Sequence, residues 1–321
     1  MLKIELPALL PNEHLLSALS RWFDTTGRNE FLAMTRRISS NLGMLSPSSI
    51  WRPVYGDLAN HYMDTVGLSR ILSEHTLTPF YKPFLKEQER LFLSEEHLNT
   101  RYDFRVIPVA QIHVKAAHHW RWCAECADDD YEQFGVTYWH VYHQIPTALR
   151  CLKHKASLLS KCQSCSFEYK NFLRHWKPPT DRMCLECASL IEVKDVLNTP
   201  VSHWLDAISL SLQHNQYVTK REEIIELMKV KMGFETLPIN KPVALRKKFS
   251  ANQKKFEKWL VDEGILSSYI VNGTPILFTP NQKLFNIIPT VYRDSIVPPI
   301  SVLLMLKWLG LDHELAELLS E

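Results

Sequence analysis

Seven cysteines and one histidine, arranged as four two-residue knuckles, constrain this chain more than any other feature. Cys123-Ala-Glu-Cys126 is followed after twenty-four residues by Cys151-Leu-Lys-His154. Cys162-Gln-Ser-Cys165 comes next and, eighteen residues on, Cys184-Leu-Glu-Cys187. A gap of two residues lets both side chains of a knuckle turn toward one ion, and two knuckles complete a tetrahedron at about 2.3 Å from each sulfur. The second pair has the usual spacing of a four-cysteine site, whereas the first has a longer loop. All seven cysteines are used, which predicts two structural Zn²⁺ sites. Sequential pairing groups Cys123, Cys126, Cys151 and His154 in one site and Cys162, Cys165, Cys184 and Cys187 in the other. An interleaved cross-brace stays open, since only seven residues separate His154 from Cys162. Sequential pairing is favoured because each half then closes its own loop. His118 and His119 break the knuckle spacing and read as surface or packing histidines.

Disulfides are the wrong reading for an odd number of thiols. Residues 2–10 are interrupted by Lys3, Glu5 and Pro7 and lack the basic-then-apolar order of a signal peptide. The expected compartment is therefore the reducing cytoplasm. The apolar run 300–311 carries Lys307 and is too short to span a bilayer. Four protein ligands per ion leave no open position for a water nucleophile. No phosphate loop, Gly-x-Gly-x-x-Gly or Gly-x-Ser-x-Gly occurs in a chain with only nine glycines. The chain reads as a non-enzyme.

The formal charge of +2 counts cysteines as neutral; seven thiolates and two divalent ions bring it to about −1. A non-specific polyanion binder would be far more basic, so any nucleic-acid contact must be local. One stretch qualifies. From Lys220 to Lys258 there are eleven Lys/Arg against five Glu. Arg246, Lys247, Lys248, Lys254, Lys255 and Lys258 crowd into thirteen positions of it and are the candidate DNA contacts, with a solvated helix face as the competing reading.

Apolar periodicity predicts a mainly α fold with the two small zinc modules in its middle. Helices are expected at 13–25 with Asn12 as N-cap, and at 28–35, 48–66, 67–75 and 86–99. Tyr138, Trp139 and Tyr142 are expected to pack around the first zinc module. Further helices are expected at 200–215, at 219–232 with Thr219 and Glu222 as a capping box, at 250–264, 299–309 and 312–320. Asn272-Gly273 between 268–271 and 275–278 reads as a hairpin turn. Helix, basic helix and small hairpin together suggest a C-terminal winged helix-turn-helix. The expected domains are 1–115, helical; 116–195, the tandem zinc modules; and 196–321, helical with the helix-turn-helix.

The stretch Trp122-Cys-Ala-Glu-Cys126, Phe134-Gly135, Tyr138-Trp139-His140, Gln144-Ile-Pro146 and Cys151-Leu-Lys-His154 resembles the TniQ/TnsD family of transposon target-selection proteins. The opening Leu10-Pro-Asn-Glu-His-Leu-Leu-Ser-Ala-Leu-Ser-Arg-Trp22 resembles that family's Pro-x-Glu-x-Leu-x-Ser-x-Leu-x-Arg. Glu74-His-Thr-Leu-Thr-Pro-Phe-Tyr-Lys-Pro-Phe84 is similar to a segment of the TnsD branch. The likeness covers about 1–190 and adds weight to Cys123, Cys126, Cys151 and His154 as one site. It implies a non-enzymatic bacterial adaptor, acting at the nucleoid, that recognises target or attachment-site DNA and recruits the AAA+ ATPase regulator of a transposase. TnsD-branch members are often longer, so recruitment through an RNA-guided Cascade complex stays open beside direct DNA reading. A zinc-ribbon transcription regulator is the alternative from another class.

Overall fold

The computed structural model describes residues 6–26, 46–50, 53–91, 113–170, 177–193, 195–215, 217, 219–271, 284–293 and 297–320. Among them the chain is mostly helical, and its β-structure consists of isolated bridges.

The N-terminal part contains α1 (Ser17–Thr26), α2 (Pro53–Tyr62), α3 (Leu68–His75), α4 (Thr78–Tyr81) and α5 (Glu87–Leu91). Leu15, Leu16, Leu19 and Trp22 are buried, as their helical spacing predicts. The helix nevertheless starts at Ser17, because Asn12 adopts a left-handed φ of 55° and Glu13 pairs with His140 in an antiparallel bridge. Asn12 is thus a turn residue and not an N-cap. The helix expected at 28–35 and most of that expected at 86–99 lie outside the described residues.

Among the described residues the middle has one α-helix, α6 (Ala124–Phe134), which ends where Gly135 takes the left-handed φ of 69°. After it come three hairpins of one design. In each, the residue before the first ligand bridges the residue seven further on: Arg150 with Ser157, Lys161 with Glu168, and Met183 with Leu190. In each, the residue after the second ligand has positive φ: Lys155 (59°), Ser166 (59°) and Ala188 (53°).

The C-terminal part runs through α7 (Pro200–His214), α8 (Arg221–Met232), α9 (Val243–Asp262), α10 (Ile265–Tyr269), α11 (Pro299–Trp308) and α12 (Asp312–Ser320). A capping box of Thr199 and Ser202 starts α7, with Pro200 in its first turn. The cap of α8 sits one residue later than its sequence suggests: Glu223 accepts the Lys220 N–H at 2.7 Å. Thr219 is engaged elsewhere, donating to the Leu318 carbonyl of α12 at 3.1 Å. The basic helix α9 begins seven residues before the expected position 250, immediately after Pro242, and so takes in Arg246, Lys247 and Lys248. Ser268 and Tyr269 close α10 and are not strand; Ile270 bridges Val114 instead. The turn at Asn272-Gly273 and residues 275–278 lie outside the described residues, so the winged arrangement is without support among those that are described.

One contiguous buried cluster runs from Leu15 to Leu319 and ties the three parts together. Helix α11, buried from Pro299 to Leu306, lies within it. Helix α4 packs on α7, where Gln213 donates to the Thr76 carbonyl at 2.9 Å. Asp206 of α7 accepts from the Leu149 N–H and from Arg150, both at 2.7 Å. The C-terminal helices therefore grip the base of the first ligand-bearing hairpin.

Candidate metal centres

The eight knuckle residues gather into two groups, Cys123, Cys126, Cys151 and His154, and Cys162, Cys165, Cys184 and Cys187. Within each group the ligand atoms lie within 4.8 Å of one another. This is the sequential pairing; no ligand is shared or crossed.

The first group joins a helix end to a hairpin. Cys123 is the N-cap of α6 and Cys126 sits one turn in, where the helix N-terminus favours thiolates. His154 Nδ1 lies 3.4 Å from Cys123 Sγ, 3.3 Å from Cys126 Sγ and 3.8 Å from Cys151 Sγ. Cys126 and Cys151 sulfurs are 3.5 Å apart. A tetrahedral ion with bonds of about 2.3 Å separates its ligand atoms by about 3.8 Å, whereas a disulfide needs about 2.05 Å. The spacing fits a metal. Hydrogen bonds from Cys123 and Cys126 pull the Cys151 thiol far below its ordinary range. Cys126 is pushed far up by Cys123, by Cys151 and by burial. Sulfurs this close cannot all ionise unless a cation shares their charge.

The second group is made of two hairpins. Cys162 and Cys187 sulfurs stand 3.7 Å apart, and Cys165 and Cys184 sulfurs 3.6 Å. Backbone N–H groups aim at these sulfurs, as Glu186 N does at Cys184 Sγ, 3.4 Å away. Those of Cys165 and Ser164 lower the Cys162 thiol pKa, and bonds from the Ser189 hydroxyl and N–H bring Cys187 down to about 6. Cys165 and Cys187 are exposed, whereas the three cysteines of the first group are buried.

Outer partners that knuckle spacing alone does not reveal complete the first site. His154 Nε2 lies 3.0 Å from Asp129 Oδ2, and Lys153 Nζ is 2.5 Å from the same oxygen. The signal was the run of three aspartates at 128–130, one turn after Cys126. Asp130 meets His140 Nε2 at 2.8 Å. His118 and His119 join neither group; His119 faces Glu168 at 3.4 Å.

The motif residues of the N-terminus and of the knuckle region pack directly on each other. His14 N donates to the Trp139 carbonyl at 2.7 Å, and Val141 N to that of Asn12 at 2.8 Å. Ser17 Oγ accepts the Trp139 N–H at 2.9 Å, and the Tyr138 hydroxyl reaches the Pro11 carbonyl at 3.1 Å. Glu13, fully buried, is held by Arg21 through 2.8 and 2.5 Å contacts. Trp139 is enclosed by Trp120 and Trp122, with Tyr169 beyond Trp122. Tyr142 is half-buried and points its hydroxyl at His214 of α7, 3.2 Å away, and not at the metal group.

All six basic candidates lie on α9 and are exposed. Lys247, Lys254 and Lys258 recur at helical intervals on one face; Phe249, Phe256 and Leu260 repeat the same intervals on the buried face. Lys258 pairs with Asp262 at 2.8 Å, and Lys248 Nζ sits 5.5 Å from the Phe234 ring centroid. Arg246, Lys247, Lys254 and Lys255 have no carboxylate partner among the described residues.

The helices and the two closed four-ligand groups define a mainly α protein with two structural-type metal centres. Residues 6–158, a little under half of the chain, match the TniQ family. It is also 26% identical over 157 residues to the transposon Tn7 transposition protein TnsD of Escherichia coli. That match covers 42% of this chain and 31% of the relative, so it spans about a third of the relative's length.

Proposed function

We propose that this chain selects the target site of a transposon, contacting DNA and recruiting the AAA+ ATPase regulator of the transposase. The observation that carries the reading is the TniQ match over 6–158, whose two motif segments close on each other through Glu13, Ser17, Trp139 and His140. Zn²⁺ is the ion that fits both groups, because thiolate and imidazole donors in closed sets of four favour it. Cys123, Cys126, Cys151 and His154 hold one ion and Cys162, Cys165, Cys184 and Cys187 the other. Each supplies folding free energy to a segment poor in regular structure. The chain carries out no chemistry of its own.

The N-terminal helices, with α1, form the ATPase-facing side, and the exposed basic face of α9 forms the DNA-facing side. Helix α9 meets phosphates, which position a duplex without reading its sequence. Because one buried cluster joins described residues of all three parts, the test uses the intact protein: capture of the AAA+ regulator from the same element, with and without target duplex. Capture that increases with duplex supports the adaptor. No capture under either condition, nor with a guide complex added, sinks it and favours a zinc-ribbon regulator.

A further inference from the structure

A groove of about 710 Å³ lies where the second knuckle hairpin, the segment before α6 and the end of α10 meet. Lys115 and Lys161 line it, and fully buried Arg121 lies in its wall. Arg121 sends its two terminal nitrogens to the carbonyls of Ala148 and Ile145 and leaves its Nε–H without an acceptor among the described residues. Lys115 Nζ donates to the Ser267 carbonyl at 2.5 Å. Neither Lys115 nor Lys161 has a carboxylate partner among the described residues. Burial, and then the charge of Lys161, hold the Lys115 amine below its usual range. Two carboxylates also reach the groove: Glu168 is occupied by Lys170 and His119, and Asp195 stands on the segment leading to α7. The lining still carries four Lys/Arg against two Asp/Glu.

We propose that this groove holds a stretch of nucleic-acid phosphodiester backbone between Lys115 and Lys161. The inference rests on the DNA-facing role proposed above and adds to it a contact far in sequence from α9. An anion placed in a groove lined by two ammonium groups is attracted to both. Ser160, Gln163 and Ser268 offer neutral donors of the kind that meet phosphate oxygens. Lysines recognise phosphate as point charges, whereas a peptide carboxylate is better clamped by the fork of an exposed arginine. Among the described residues no Phe, Tyr or Trp ring lines the groove, so the contact proposed is with the backbone and is indifferent to sequence.

The test is lysine acetylation read by mass spectrometry on the intact metal-loaded chain, alone, with a short duplex of arbitrary sequence, and with polyglutamate. The duplex should slow acetylation of Lys115 and Lys161 several-fold. Lys161→Glu and Lys115→Gln should each flatten the slope of log affinity against log salt by about 0.9 for every phosphate no longer neutralised, and Lys161→Arg should restore it. Metal content equal to the parent's shows that the variants are folded. Protection of the α9 lysines without Lys115 and Lys161 overturns the groove site and leaves the DNA-facing role standing. Protection by polyglutamate but not by duplex overturns it in favour of an acidic peptide. A chain that binds no duplex fails both the role and the site.

Discussion

His154 stands between the three sulfurs and Asp129, with Nδ1 toward the cysteines and Nε2 3.0 Å from the carboxylate. The carboxylate fixes the tautomer that leaves Nδ1 free to donate its lone pair, and it raises the basicity of the ring. Asp129→Asn should therefore weaken metal affinity about 10- to 100-fold while leaving the helical content intact. Competition with a chromogenic chelator at fixed pH measures it. An unchanged affinity would mean the contact is incidental.

Protein purified without added metal should carry one zinc for each of the two groups. The second group has two exposed cysteines, so a chelator should strip its ion first and the buried first ion more slowly. Cys184→Ser should halve the metal content and make the protein protease-sensitive. A metal-free chain that is stably folded contradicts the structural role.

Glu13 is fully buried against Arg21 and also accepts the Leu10 N–H at 2.9 Å. Glu13→Gln takes the counter-charge from the mostly buried Arg21, which keeps its bond to the Ala8 carbonyl, and should cost about 3 kcal/mol, read from the denaturant midpoint. Ser17→Ala removes the acceptor of the Trp139 N–H and should cost about 1–3 kcal/mol. If both variants match the parent, the two motif segments do not hold each other as described.

Acid should destabilise the chain through His14, whose pKa burial lowers to about 3. A histidine depressed in the folded state is protonated more readily when unfolded. Its contribution is thus complete above about pH 6.5 and is lost as the pH falls toward 3. Between pH 7 and pH 5 the loss is about 2 kcal/mol. Metal release adds its own acid dependence, so the quantity to compare is the difference between parent and His14→Gln at each pH. A difference that does not change with pH would show that His14 does not titrate this way.

Charge reversal at Lys247 and Lys254 on the exposed face of α9 should weaken binding to all duplexes by a similar factor and reduce its salt dependence. Affinity equal to the parent's would leave α9 as a solvated helix face.

The metal groups were legible because ligand spacing is a local property, and a two-residue gap allows few geometries. Helix α12 was legible end to end, since Asp312 and the leucines at 315, 318 and 319 mark one amphipathic segment. The start of α1 was not, because the decision at Glu13 is made by His140, far away in sequence. The cap of α8 failed for the same reason: Thr219 has the right chemistry, but Leu318 claims its hydroxyl. Residues 268–271 carry strand-like composition, yet α10 and the Val114 bridge use them otherwise. Partner-dependent choices of this kind leave no local pattern.

Lys155, Ser166 and Ala188 hold a backbone conformation that costs an ordinary L-residue about 1–2 kcal/mol. Three hairpins so wound carry a backbone cost, and an ion clamped at each mouth would offset it. The first of them is also the one that Asp206 grips through Leu149 and Arg150. An ion at the first group would therefore act beyond the knuckles: removing it should loosen the seat of α7 and, through the buried cluster, the platform that carries the basic helix. If α9 meets DNA as proposed, duplex affinity should then follow the metal occupancy of the first group.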